Sequence, residues 1–501
     1  MKSIIKATAV LGSASVVNIL TGLVSAKISA VLLGPGGVGY MGLLQSLLGL
    51  AGMVAGMGVS TGFVRDGARA LAEADTRRLS ALRAGAWLSC GVLGVAAAVV
   101  MVLARVPLSR LTLGGPAHGG AVIIVAVGLL LMLAAGIQTG ILNAHRQISA
   151  LVRCSMLGSV LGTASNLLII WTWRGAGVPW AVLAGCFIPW AASAFYLRRF
   201  GTRSDPRPNS REVRSAAGGL LRFGAPFTAS LLVGAGVVMA LPVFVLHAID
   251  AAAAGYYRAA ATVAVSYLGF VTASMSQDYY PRVSAVANQK AELCRLVNEQ
   301  HRLVLLLGGP VILGMLALVP YLIPLVYSPR FIPAVGLLEW QLLGDIFRLA
   351  AWTMAFVILA RSGSFLFFGL ELAGGASLLG FSWVGMRWFG LEGLGMGFVA
   401  CAVVYYLLCW TILRRTIGLR WTARNVALFL TLVLVGSAIR ALPYLGFERA
   451  RTPVALLLAA VASAYSVHQL WGEMGGFDGL LTALRRRLRR TAPRASDQAL
   501  S

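Results

Sequence analysis

Apolar residues do not alternate along this chain, nor do they keep to one face at helical spacing. They fill whole stretches, such as AVIIVAVGLLLMLAAGI at Ala121–Ile137 and VALFLTLVLVGSAI at Val426–Ile439. A helix that is apolar all round belongs in a large core or in lipid. Crossing a bilayer takes about 20 such residues, and about fourteen segments qualify. The spans are 8–33, 38–63, 84–105, 119–142, 150–173, 177–197, 223–247, 254–279, 303–327, 334–359, 364–387, 393–413, 425–446 and 453–471. The expected fold is an all-α polytopic membrane protein with two pseudo-repeated six-helix lobes and two extra C-terminal helices.

The polar breaks set the organisation. Outside connections are short, as in GPGG at Gly34–Gly37, and the longer polar loops are Arg65–Arg83, Arg198–Arg222 and Pro281–Arg302. The predicted order is an N-terminal lobe over 1–198, a basic linker over 199–222, a C-terminal lobe over 223–415, two additional helices over 416–471 and a basic tail over 472–501. A faint repeat supports two halves: Gly39-Tyr40 and Gly255-Tyr256 both stand at the exterior turn into the second helix of their half. Internal repeats of this kind are common in secondary transporters, with the substrate site at the repeat interface. The N-terminus has the basic start and small-residue ending of a signal peptide. Its apolar stretch continues past Lys27 into ISAVLLGP, so an uncleaved first helix is expected. In the tail, Phe477, Leu481, Leu484 and Leu488 form an apolar stripe beside arginines. That pattern suits a helix lying on an anionic inner leaflet.

Composition agrees: 58% of the residues are hydrophobic and 12% charged, against about 25% charged in soluble domains. The net charge of +25 would suit a nucleic-acid binder. However, roughly three quarters of the Lys and Arg fall on loops that are cytoplasmic if the N-terminus is inside, which is the positive-inside rule. No nucleic acid partner is implied. The six cysteines form no CxxC pair and the five histidines show no ligand spacing, so no metal, cofactor or disulfide framework is expected. No GxxxxGK[ST] motif occurs, which excludes a P-loop ATPase. The outer loops are too short to hold a catalytic domain, so the chain is not expected to be an enzyme.

The remaining chemistry lies in ionisable residues inside the spans. Each costs about 2.5–3.5 kcal/mol at a helix centre on the insertion scale, and such residues usually face a cavity or a partner. They are Lys27, Arg258, Asp345, Arg348 and Glu371. Asp345 and Arg348 stand three residues apart in WQLLGDIFRLAAW, on one face of a helix. Three cations at similar depth suit an anionic group such as a diphosphate. Other readings stay open: Lys27 and Arg258 snorkelling to the interface, a private Asp345–Arg348 ion pair, and a structural hydrogen bond for Glu371.

These residues carry a resemblance. AKISAVLLGPGGVGYMGLLQS resembles the first two helices of the Wzx flippases, O-antigen translocases and lipid III flippases, where a Lys precedes a Gly-Pro turn and a Gln follows. Lys27, Gly34, Pro35, Gly37, Gly39 and Gln45 fill those places. Trp340, Gln341, Gly344, Asp345 and Arg348 match that family's Trp-Gln-Leu-x-Gly-Asp motif with its following basic residue, and Glu371 falls where it carries an acid. The resemblance covers roughly residues 4–415. It implies a flippase moving an undecaprenyl-diphosphate-linked oligosaccharide (an O-antigen, common-antigen or exopolysaccharide repeat unit) from the cytoplasmic to the periplasmic leaflet. It also implies a bacterial inner-membrane location with both termini cytoplasmic, alternating access between lobes, and polysaccharide polymerase and chain-length proteins as partners. Lys27, Arg258, Arg348, Asp345, Gln341 and Gln45 would line the substrate cavity, and Glu371 would couple transport to an ion. Arg258 matches no motif and rests on intramembrane charge alone. The competing readings are a multidrug/cation antiporter of the same fold and a membrane polysaccharide polymerase or ligase.

Overall fold

The computed structural model describes residues 2–200, 208–274 and 279–473. Fourteen α-helices account for almost all of them: α1 (Lys2–Gly56), α2 (Val59–Ala72), α3 (Thr76–Leu103), α4 (Arg105–Leu113), α5 (Gly119–Ala144), α6 (Ile148–Trp173), α7 (Val178–Phe200), α8 (Ser210–Ala248), α9 (Ala251–Ser274), α10 (Tyr280–Ala285), α11 (Lys290–Val326), α12 (Ala334–Ile417), α13 (Ala423–Ala441) and α14 (Glu448–Glu473). No strand occurs among the described residues. The protein is a multi-pass membrane protein: nine helical stretches among those residues are long and apolar enough to cross a bilayer. Three of these run to 40 or 52 residues, enough for two crossings each at about 20 residues a crossing.

The breaks inside the long helices come from glycine. In α1, Gly34 takes φ +69°, a left-handed conformation open to glycine at little cost. Pro35 follows and cannot donate to the preceding turn. The two arms of α1 are thus the first and second helices expected from the sequence. In α12, Gly390 takes φ +58° and the chain turns back on itself. A Cβ on Gly385 would stand 2.2 Å from the Gly393 carbonyl oxygen, and one on Gly397 2.6 Å from the Ser382 nitrogen. The two arms therefore pack main chain against main chain, with the Cys401 thiol 3.3 Å from the Gly374 carbonyl further along.

The polar segments fold more than expected. Asn209 and Glu212 form a reciprocal capping box at the start of α8, satisfying N–H groups the helix itself leaves unpaired. Residues 210–222, expected as linker, are accordingly helical. Glu212 also meets Arg77 of α3 at 2.9 Å. Its carboxyl sits below the usual carboxylate range, held there by the Asn209 backbone N–H and by Arg77. The amphipathic stripe expected at 477–488 lies outside the described residues.

Contacts gather the chain into two compact units. One comprises Met1–Val265, Pro320–Leu338 and Phe368–Cys401. Within it Leu44, Leu47, Val122, Val125, Leu129 and Val182 form a buried core joining α1, α5 and α7, and Val59, Phe63, Ile141 and Leu220 another around α2. The second comprises Ser266–Val319, Glu339–Phe367 and Ala402–Ser501. Its α13 is packed closely: a Cβ at Gly436 would lie 2.8 Å from Leu343, and one at Gly309 2.7 Å from Leu432. An added Cβ at either position would press on the end of a leucine side chain, which would have to shift.

Candidate functional site

Of the residues singled out, the structure puts Lys27, Gln45, Arg258 and Glu371 in the first unit and Gln341, Asp345 and Arg348 in the second.

In the first unit the two members of the sequence repeat meet. A Cβ on Gly39 would lie 2.5 Å from the Ala251 carbonyl oxygen, and one on Gly255 1.9 Å from the Pro35 carbonyl oxygen. The second arm of α1 and α9 thus cross with no side chain between them. Three residues further along α1, Gly42 leaves room for the Arg258 stem, whose Cγ and Cδ lie 3.1 and 3.2 Å from a Cβ built there. Three residues further again, the Gln45 side-chain Oε1 accepts a hydrogen bond from the Arg258 guanidinium at 3.1 Å. Gly39, Gly42 and Gln45 recur at i, i+3, i+6 and so share one helical face, which fits Arg258 into the seam. Gln45 orients this cation without neutralising it.

Lys27 takes a partner the sequence did not suggest. Its Nζ donates to the Pro324 carbonyl at 3.1 Å. Pro324 lies in the last turn of α11, which ends at Val326, where carbonyls have no intrahelical donor left. A cation there satisfies the carbonyl and complements the helix dipole. Glu371 is half-buried in α12.

On the neighbouring face of the first arm of α1, polar residues form a ladder with α6. Asn18 donates to Ser155 at 2.9 Å and accepts from Ser159 at 2.6 Å, and Asn166 donates to Ser25 at 2.9 Å. Hydrogen bonds of this kind between apolar helices hold them together in lipid.

In the second unit, Gln341, Asp345, Arg348 and Trp352 follow at i, i+4, i+7, i+11 on α12. Asp345 is fully buried, and Arg348 Nε stands 3.2 Å from its Oδ1. The Arg348 guanidinium lies 5.0 Å from the Trp352 ring centre, in cation–π range. Gln341 is buried and its Oε1 has no hydrogen-bond partner. The second unit also holds a pair missed in the sequence: Arg440 of α13 and Glu339, two residues before Gln341. Both fall inside expected spans, the one signal that was available. Among the described residues no cluster of His, Cys, Asp and Glu has the arrangement of a metal site.

Residues 28–336 match the family described as polysaccharide biosynthesis protein. The chain belongs to this family. Over 414 residues it is 24% identical to the lipid III flippase of Escherichia coli (strain K12), covering 81% of this chain and 97% of that protein. The same figures hold for the lipid III flippase of Shigella flexneri. Among solved structures, the fold is similar to lipid II flippase MurJ in an inward closed conformation, with a TM-score of 0.69, 12% identity, and coverage of 93% of this chain and 99% of that one. It is also similar to an inward-facing multidrug resistance MATE transporter of the MOP superfamily, with a TM-score of 0.65, 18% identity, and coverage of 80% and 94%. At those identities the likeness establishes the fold alone. Two long-range features of the first unit, the Gly39–Gly255 crossing and Arg258 on Gln45, lie inside the stretch that matches the family.

Proposed function

We propose that this protein is a flippase for a lipid-linked oligosaccharide, carrying an undecaprenyl-diphosphate-linked repeat unit from the cytoplasmic to the periplasmic leaflet of a bacterial inner membrane. The observation that carries the reading is the alignment with the lipid III flippases across nearly their whole length. The charges support it. Each unit contributes a basic residue set among apolar helices, Arg258 on a neutral amide in one and Arg348 beside Trp352 in the other. Lys27, Arg258 and Arg348 meet the diphosphate, Gln45 and Gln341 supply neutral contacts, and Asp345 keeps Arg348 oriented. Glu371 is the coupling acid. No bond is made or broken. The protein lowers the barrier that hydrocarbon sets against a polar head group, while the polyprenyl chain stays in lipid.

An antiporter of cationic drugs shares the fold but wants acids in its site, and three basic residues disfavour it. A proteoliposome assay separates the readings. The flippase reading expects a lipid-linked oligosaccharide to become accessible in the opposite leaflet with its length unchanged. Transport of ethidium without leaflet exchange would establish the antiporter, and a change in glycan length would establish an enzyme.

A further inference from the structure

The first unit contains a cavity that none of the basic residues enters. It has a volume of about 390 Å³ and lies among α1, α5, α6 and α7. That is the size range of small-ligand sites. Its polar lining is neutral throughout: Ser25, Gln45, Ser159, Thr163 and Asn166. Its apolar walls include Met41, Met132 and Val182. Gly162 and Gly185 border it, and a Cβ on either would meet nothing within 4 Å. The space is thus kept open by absent side chains.

The ladder with α6 explains part of this polarity but leaves a remainder. Asn166 is 6% exposed, and its Nδ2 is used by Ser25. Its Oδ1 accepts no hydrogen bond. A buried acceptor left unpaired is costly, and a packing residue at this place has no need of one.

We propose that this cavity binds an uncharged sugar ring of the cargo, with Asn166 Oδ1 accepting from a ring hydroxyl. The chemistry of the lining selects this class. A purely apolar occupant would leave the amide and hydroxyls unpaired. A cation would find no carboxylate in the lining. An anion would find no positive side chain in the lining. A sugar presents hydroxyls to Ser25, Thr163 and Asn166 and C–H faces to the methionines. The site itself is read from geometry; only the origin of the sugar, as part of the lipid-linked cargo, rests on the flippase reading.

The test uses the full chain in nanodiscs and methyl glycosides of glucose, galactose, rhamnose, N-acetylglucosamine and N-acetylgalactosamine, each followed by saturation-transfer NMR. At least one should give a saturable signal with the wild type. Asn166→Ala should weaken it about tenfold, as one lost hydrogen bond would. Gly162→Leu should abolish it by filling the cavity without touching the ladder. Gly49→Ala, outside the lining and with nothing within 4 Å of the added Cβ, should leave it in place. No signal with the wild type, or equal signals in both cavity variants, overturns the site. Leaflet exchange is then measured with an excess of the sugar that bound. Slowed exchange supports cargo recognition, while sugar binding that leaves exchange unchanged overturns that assignment. If no lipid-linked oligosaccharide exchanges at all, the flippase reading fails, and the cargo assignment with it, whereas the sugar site is still decided by the NMR signals.

Discussion

Arg440 Nε lies 3.0 Å from Glu339 Oε2, with the two side chains 7% and 2% exposed. Arg440 also donates to the Tyr444 hydroxyl at 2.8 Å and spans the Trp340 and Tyr444 rings, 5.3 and 4.9 Å from their centres. The expected thirteenth helix is therefore fastened to the start of α12, next to the Trp-Gln-Leu-x-Gly-Asp motif, by a buried ion pair. Removing one partner of such a pair strands a charge and costs about 3–5 kcal/mol, while replacing both with apolar groups is often neutral. Arg440→Met and Glu339→Gln should each lower the unfolding temperature strongly. The double variant Glu339→Leu with Arg440→Met should recover most of that loss. Thermal unfolding of the purified protein in detergent checks this, and single variants as stable as wild type would refute the clasp.

Gly255→Ala should reduce the amount of folded protein sharply, because the new Cβ would stand 1.9 Å from the Pro35 carbonyl oxygen. Gly49→Ala in the same region meets nothing within 4 Å and should be tolerated. Size-exclusion chromatography of a fluorescent fusion reads both.

Lys27 caps a helix and is also assigned to the diphosphate, and substitutions separate the roles. Lys27→Ala should abolish exchange and cost about 1 kcal/mol of stability through the uncapped Pro324 carbonyl. Lys27→Gln should restore part of the stability but not exchange, and Lys27→Arg should restore part of both. Arg348→Ala should abolish exchange and Arg348→Lys retain part of it. Normal exchange by either Ala variant removes that residue from the cargo site. Leaflet exchange and unfolding temperature are measured side by side.

Coupling is tested by imposing a pH or sodium gradient on proteoliposomes. Exchange by wild type should respond to one of them, and Glu371→Gln should not respond. A wild type indifferent to both gradients would exclude ion coupling.

Glu212 gives a pH dependence whose direction follows from its depressed folded-state pKa. Its contribution is present above the ordinary carboxylate range and is lost as pH falls through the folded value. Glu212→Gln should therefore lower the unfolding temperature at neutral pH. The gap to wild type should close on acidification below about pH 4, the ordinary carboxylate range.

What could be read in advance depended on sequence distance. The Asp345–Arg348 pair was legible because helical spacing alone puts it on one face, and the Gly34-Pro35 break because glycine and proline announce it. The capping box at Asn209 and Glu212 was equally local, yet the polar, proline-containing stretch around it read as linker. Arg258 on Gln45, Lys27 on Pro324 and Arg440 on Glu339 join residues about 100 to 300 positions apart, and only the fold brings them together. The repeat showed that Gly39 and Gly255 are equivalent but gave no sign that they touch. Asn166 escaped notice because an uncharged amide in an apolar span costs too little to stand out.

The crossing at Gly39 and Gly255 bears on how the molecule can move. A contact made of main chain alone has no rotamers to exhaust and no interlocked side chains to shear, so it works as a pivot. When the helices tilt there, the separation at the pivot is conserved and displacement grows with distance from it. Spin labels at Val54 on the second arm of α1 and Val265 on α9, both well away from the crossing, should change separation between conformations, while a pair at Val38 and Ala251, beside it, should not.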